Sequence, residues 1–137
     1  VGKQDTVYFL GDLAMGGPPN YWLKRLNGHI QIITGNHYDE KIKQRQYRSK
    51  VIHAGGYSFL LTHSPEQRIT PWHGWTIHGH KHNNKPEEFP FINGINRTIN
   101  VSVEVIDYKP VRLDYLLSLD LNSIRRMNTI HDKPERF

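Results

Sequence analysis

A chain of 137 residues is the size of one ordinary domain, and 36% hydrophobic with 23% charged residues is the makeup of a soluble globular protein rather than a disordered or membrane one. The absence of cysteine excludes a disulfide framework and a thiolate metal site, so any metal has to be held by His, Asp, Asn or Glu; it also fits a reducing compartment, and a cytoplasmic location is expected. No apolar stretch is long enough to span a bilayer, nothing at the start resembles a signal peptide, and the net charge of +5 favours anionic partners such as nucleic acid or simply serves solubility.

The chain opens on Val1, not Met, and runs almost at once into the strand Val7-Tyr8-Phe9-Leu10, stopped by Gly11-Asp12; such an opening predicts a missing N-terminal piece. After the breaker Gly16-Gly17-Pro18-Pro19-Asn20, Tyr21, Trp22, Leu23 and Leu26 lie at helical spacing with Lys24 and Arg25 facing away, and Asn27-Gly28 closes the helix. Ile30 to Ile33 reads as a second strand, ended by Thr34-Gly35-Asn36-His37. The basic segment Glu40 to Lys50 predicts a helix with little apolar face. Val51-Ile52-His53 and Tyr57 to Leu61 read as a hairpin joined at Ala54-Gly55-Gly56, whose second strand ends at Thr62-His63-Ser64-Pro65. The strand Trp75 to His78 leads into Gly79-His80-Lys81-His82 and a polar loop through Glu88. Thr98 to Val105 is a further strand, stopped by Lys109-Pro110. Leu113, Leu116 and Leu117 with Leu121, Ile124 and Met127 predict one or two C-terminal helices, and Thr129 to Phe137 a frayed polar tail. With no repeat, low-complexity tract or linker, residues 1–137 are expected to form a single α/β domain.

Four successive strands thus end at a Gly- or Pro-marked turn carrying a metal-ligand type: Asp12, Asn36, His63, and His80 with His82. In α/β sheets, ligands collect beyond the carboxyl ends of the strands, where such turns converge. One carboxylate, one amide oxygen and three imidazoles make a mixed O/N set that suits Mn, Fe, Zn or Ni far better than Ca. Gly11, Gly35 and Gly79 each precede a ligand by one residue, where the backbone has to turn sharply. The bland alternative, unrelated polar turn residues, requires four coincidences.

Gly11-Asp12, Gly35-Asn36-His37, His63 and Gly79-His80-Lys81-His82 match, in order, the last four motifs of the calcineurin-like metallophosphoesterase superfamily, which the chain resembles from about Asp5 to Leu117. The lead-in Asp5 to Asp12 and the closing Asn100-Val101-Ser102-Val103-Glu104 look like a small bacterial and phage branch of predicted phosphoesterases. The resemblance implies an α/β fold, a four-layer β-sandwich of two mixed sheets flanked by helices, here with the N-terminal strand missing. It implies a dinuclear centre with two divalent transition metals, Mn first and Fe, Ni or Zn as alternatives. A hydroxide bridging the two metals would attack the phosphorus of a phosphate ester, most readily a phosphodiester of a nucleotide or nucleic acid. No membrane partner is implied.

By the same resemblance Asp12, Asn36, His63 and His80 ligate one metal, His82 and the bridging Asp12 the other, and His37 binds the phosphate or protonates the leaving oxygen. Two departures stand out. No Asp-x-His, the motif that supplies two ligands to the second metal, occurs before Gly11. Tyr38 separates the candidate catalytic residues His37 and Asp39, where the family has His followed directly by Asp or Glu. The alternative function is therefore a catalytically impaired metal- or nucleic-acid-binding module with a degenerate mononuclear site; a purely structural mononuclear site ranks below both. His29 and His53 read as packed or surface histidines, and His78 is expected to point away from the site. His73, between Trp72 and Trp75, belongs to an aromatic packing loop or lines the cleft. Lys41, Lys43, Arg45, Arg48 and Lys50 form a solvated face or a guide for a polyanion.

Overall fold

β-Branched and aromatic runs become strands where the sequence places them, in a computed structural model that describes residues 2–10, 27–35, 40, 42–67, 70–82 and 84–137. β1 (Thr6–Phe9), β2 (His29–Ile33) and β3 (Arg45–Tyr47) make an all-parallel sheet in that order. A seven-stranded mixed sheet holds β4 (Lys50–Ala54), β5 (Tyr57–Thr62), β6 (Trp75–His78), β7 (Ile92–Asn93), β8 (Thr98–Asn100), β9 (Ile124–Met127) and β10 (Glu135–Arg136). Its order is β10-β9-β7-β8-β6-β5-β4. β4 and β5 are the antiparallel hairpin turned at Gly55-Gly56, whereas β5, β6 and β8 run parallel, so their carboxyl ends share one edge.

The core lies where side chains of the two sheets meet. Ile33 of β2 joins Phe59, Leu61, Trp75, Ile77, Phe91, Ile92 and Ile99, with Tyr8, Leu10 and Tyr47 packed against them. Burying each such side chain contributes about 1.5–3 kcal/mol. Because side chains alternate along a strand, Ile30 and Ile32 take the other face of β2, where they cluster with Phe9 and Ile42. Lys50, the first residue of β4, links the sheets at one margin: its Nζ bonds Gln31 Oε1 at 3.0 Å and lies 4.4 Å from the ring centre of Tyr47.

The expected fold class is corrected by this arrangement. Among the described residues strands take 34% and helices 11%, and the one α-helix there, α1 (Leu113–Ser118), is six residues long. The protein is mainly β, not an α/β four-layer sandwich with flanking helices. Four local expectations change with it. The helix expected over Glu40 to Lys50 is broken by Arg45–Tyr47, which finds parallel backbone partners in β2. The second half of the C-terminal helical pattern is a 3-10 turn, Leu121–Ser123, running into β9; Asp120, at φ 53°, ends the helical path before it. The tail is not frayed: β10 pairs with β9, and the Phe137 N–H donates to the Ser123 carbonyl at 3.0 Å. Thr98 to Val105 is a strand only as far as Asn100. The helix expected over Tyr21 to Leu26 lies outside the described residues. No helix among the described residues is long and apolar enough to cross a membrane.

Candidate functional site

The last rung of the parallel part of the large sheet pairs Thr62 of β5 with His78 of β6, and His78 with Asn100 of β8. All three are fully buried, so a polar row closes the core at that edge. Past it the chain leaves the sheet three times, as His63-Ser64, as Gly79-His80-Lys81-His82, and as Val101 to Glu104. The Gly79 N–H donates to the His63 carbonyl at 3.0 Å, and the Val101 N–H to the His78 carbonyl at 2.8 Å. The small sheet brings its own strand ends to the same place. The carbonyl of Leu10, just after β1, lies 2.8 Å from His63 Nδ1. Gly35, just after β2, packs so tightly on the Gln67 side-chain amide that a Cβ would collide with it, and Gln67 Oε1 accepts the Ser64 N–H at 3.1 Å. Leu10 and Gly35, the last described residues before Asp12 and Asn36, therefore both adjoin the His63 turn.

Two of the predicted ligands meet here. The rings of His63 and His80 are 4.7 Å apart between centres. A carbonyl oxygen can only accept, so His63 carries its proton on Nδ1 and turns Nε2 to the opposite edge of the ring; this is how a backbone carbonyl fixes the tautomer of a metal-binding histidine. His80 and His82 both adopt left-handed backbone, at φ 67° and 51°. For a residue with a side chain this costs about 1–2 kcal/mol, and such outliers cluster where function rather than stability dictates the conformation. His82 is held by the last residue of β8 and two residues of the turn that follows it. Its N–H donates to Ser102 Oγ at 3.0 Å, its carbonyl accepts from Asn100 Nδ2 at 2.9 Å, and its Nδ1 lies 2.9 and 2.8 Å from the two oxygens of Glu104.

Lys81, between the two histidines, is tied to the neighbouring turn: its Nζ pairs with Glu66, which also accepts from the Ser64 hydroxyl. Burial pushes the Glu66 carboxyl up, but the hydrogen bonds from Lys81 and Ser64 outweigh it and bring the pKa down to about 2. A depressed carboxylate stabilises the fold above its unfolded pKa, near 4.5, and that contribution fades as the pH falls toward about 2. The Glu66 side chain is 58% exposed, so solvent screening holds the effect to about 1 kcal/mol or less. Glu66→Gln is accordingly expected to melt slightly below the wild type at pH 6 in low salt, with the gap closing between pH 5 and 2. A gap that is constant across that range rules out the ion pair as its cause.

Asp12, Asn36, His37 and Asp39 lie outside the described residues, as does Lys41. Among the described residues no group of three or more His, Asp or Glu is gathered as a metal would require, so His63 and His80 stand as a pair. The pair fits a borderline divalent metal by donor type and by the fixed tautomer of His63. His78 is completely buried, with Nδ1 3.0 Å from the Gly79 carbonyl and its ring edge-on to Phe89, and serves the core. His53 is exposed, 2.9 Å from the Ser58 hydroxyl, and His29 and His73 are exposed as well. Glu66, Asn100, Ser102 and Glu104 were given no role by sequence reasoning. The signal for the last three was partial: Asn-Val-Ser-Val-Glu spaces polar groups at every second position after a buried strand, but Ser102 to Val105 is a hydrogen-bonded turn, not the continued strand that this spacing suggests.

No family model matches the chain. The sequence is 43% identical over 139 residues to the uncharacterized protein MJ1445 of Methanocaldococcus jannaschii, an alignment that covers 96% of this chain and 74% of that protein. The fold is similar to the crystal structure of AQ665, a protein of unknown function from Aquifex aeolicus. The TM-score is 0.63 at 24% identity, covering 87% of this chain and 78% of that one, a likeness of fold alone.

Proposed function

This chain belongs to the family of the uncharacterized protein MJ1445, and we propose that it is a metal-dependent phosphoesterase, resembling the calcineurin-like metallophosphoesterases in its site, that acts on phosphodiesters of nucleotides or nucleic acid in the cytoplasm. The observation that carries this reading is the convergence of four strand ends on the turn that holds the His63–His80 pair, two of them marked by Leu10 and Gly35. His63, His80, Asp12 and Asn36 would hold one divalent metal, and His82 with Asp12 would serve a second. The metals supply Lewis-acid stabilisation of the phosphoryl oxygens and activation of water. His37 binds the phosphate and delivers a proton to the leaving oxygen, with Asp39 two residues on as its candidate partner.

Bis(4-nitrophenyl) phosphate tests the reading directly. Turnover is expected with Mn²⁺, is lost on adding EDTA, and returns when excess Mn²⁺ is restored. Absence of turnover with Mn²⁺, Fe²⁺, Ni²⁺ and Zn²⁺ alike would overturn it. A second reading, a nucleic-acid-binding module with an impaired metal site, draws on the net charge of +5 and the run of basic residues from Lys41 to Lys50. Salt-sensitive nucleic-acid binding that ignores EDTA, without hydrolysis, would select it.

A further inference from the structure

Asn100 ends β8, Ser102 and Glu104 lie on the turn that follows it, and all three reach His82. Asn100 is completely buried; its Nδ2 donates to the His82 carbonyl at 2.9 Å and the Phe89 carbonyl at 3.1 Å, and its Oδ1 accepts the Ser102 N–H at 3.0 Å. That last bond aims the Ser102 hydroxyl, which takes the His82 N–H. Glu104 then directs both carboxylate oxygens at a single ring nitrogen, Nδ1. Both backbone polar groups and one edge of the ring are thus held, in a residue whose backbone is left-handed.

A loop that only needed fastening would be secured by the two backbone bonds. The third contact has a different consequence. A carboxylate accepts and does not donate, so it places the ring proton on Nδ1 and turns Nε2 to the far edge of the imidazole. From this geometry we infer that Asn100, Ser102 and Glu104 form a three-point clamp that presents Nε2 of His82 to a divalent metal, with Glu104 as the positioning residue that sets the tautomer and not itself a ligand. The inference rests on the phosphoesterase reading for the destination of Nε2. The clamp itself rests on the hydrogen bonds.

Two measurements on the full chain test it. Long-range ¹H–¹⁵N spectra of the metal-free protein at pH 8 are expected to show His82 with its proton on Nδ1, and Glu104→Ala is expected to move it toward the Nε2–H form that imidazole prefers in water. Calorimetric titration with Mn²⁺ alone is expected to show about 10–100-fold weaker binding in Glu104→Ala, the range typical of outer-shell partners. Glu104→Gln keeps an acceptor for Nδ1–H, preserves the fold if the alanine variant does not, and is expected to retain the tautomer with a smaller loss of affinity. An Nε2–H tautomer in the wild type overturns the clamp. Unchanged Mn²⁺ affinity in Glu104→Ala, with metal-dependent hydrolysis intact, also overturns it and leaves the phosphoesterase reading standing. A wild-type chain with the Nδ1–H tautomer under Glu104 control that takes up no Mn²⁺ overturns the phosphoesterase reading, and with it the metal as the destination of Nε2.

Discussion

Replacing His80 by glycine is expected to cut Mn²⁺-stimulated phosphodiester hydrolysis by more than about 100-fold, a loss of about 2.7 kcal/mol of transition-state stabilisation, while stability changes by no more than about 1 kcal/mol in either direction. The two expectations come from different atoms. The His80 ring lies beside that of His63, where the proposed metal would need both imidazoles. The His80 backbone sits at φ 67° on an exposed turn, a conformation that glycine adopts without the clash a Cβ brings. If His80 were there for structure, its removal would lower activity and melting temperature together. Steady-state kcat/KM and thermal unfolding of the same preparation separate the cases. Activity within a few-fold of wild type would remove His80 from the proposed site.

At the β7–β9 contact the expectation reverses, with a large loss of stability from one methyl group. Gly94 follows β7, and its N–H donates to the Arg125 carbonyl at 2.9 Å, which brings the two backbones together. A Cβ at this position would run into the Ile124 carbonyl oxygen and lie 2.7 Å from its carbon. The obstruction is backbone in the middle of a sheet, next to the fully buried Ile124, and it cannot swing aside as a side chain would. Gly94→Ala is therefore expected to cost about 3 kcal/mol or more, against a typical domain stability of about 5–15 kcal/mol. Urea unfolding monitored by tryptophan fluorescence measures it, and a midpoint equal to that of the wild type would contradict so close an approach.

Which parts of this structure the sequence disclosed follows from what each part depends on. Val7 to Leu10, Ile30 to Ile33, the Gly55-Gly56 hairpin and Trp75 to His78 are apolar runs with turn residues at their ends, and local pattern suffices to place them. Arg45–Tyr47 is polar and charged, and becomes a strand only because β2 offers it a parallel edge; nothing local announces that. Leu121, Ile124 and Met127 repeat every three residues, a spacing shared by a helix and by a short turn entering a strand. The left-handed Asp120 decides between them, and a backbone angle is not visible in a sequence. The same limit applies to the candidate site. His63 and His80 were legible as residues after strands. Glu104 on His82 and Glu66 on Lys81 join chain positions 22 and 15 residues apart through turns whose shape had first to be known.

The buried row Thr62–His78–Asn100 gives strand alignment a second meaning. In a sheet, a shift of one residue exchanges the two faces of a strand, so a slip of β8 against β6 would turn Asn100 away from His82 and drive its amide into apolar surroundings. The grip on His82 therefore exists in one alignment only, the one that also buries Ile77 and Ile99. The core acts as a ruler for the loop: any misthreaded arrangement that could disorganise the histidines is one the hydrophobic interior already rejects.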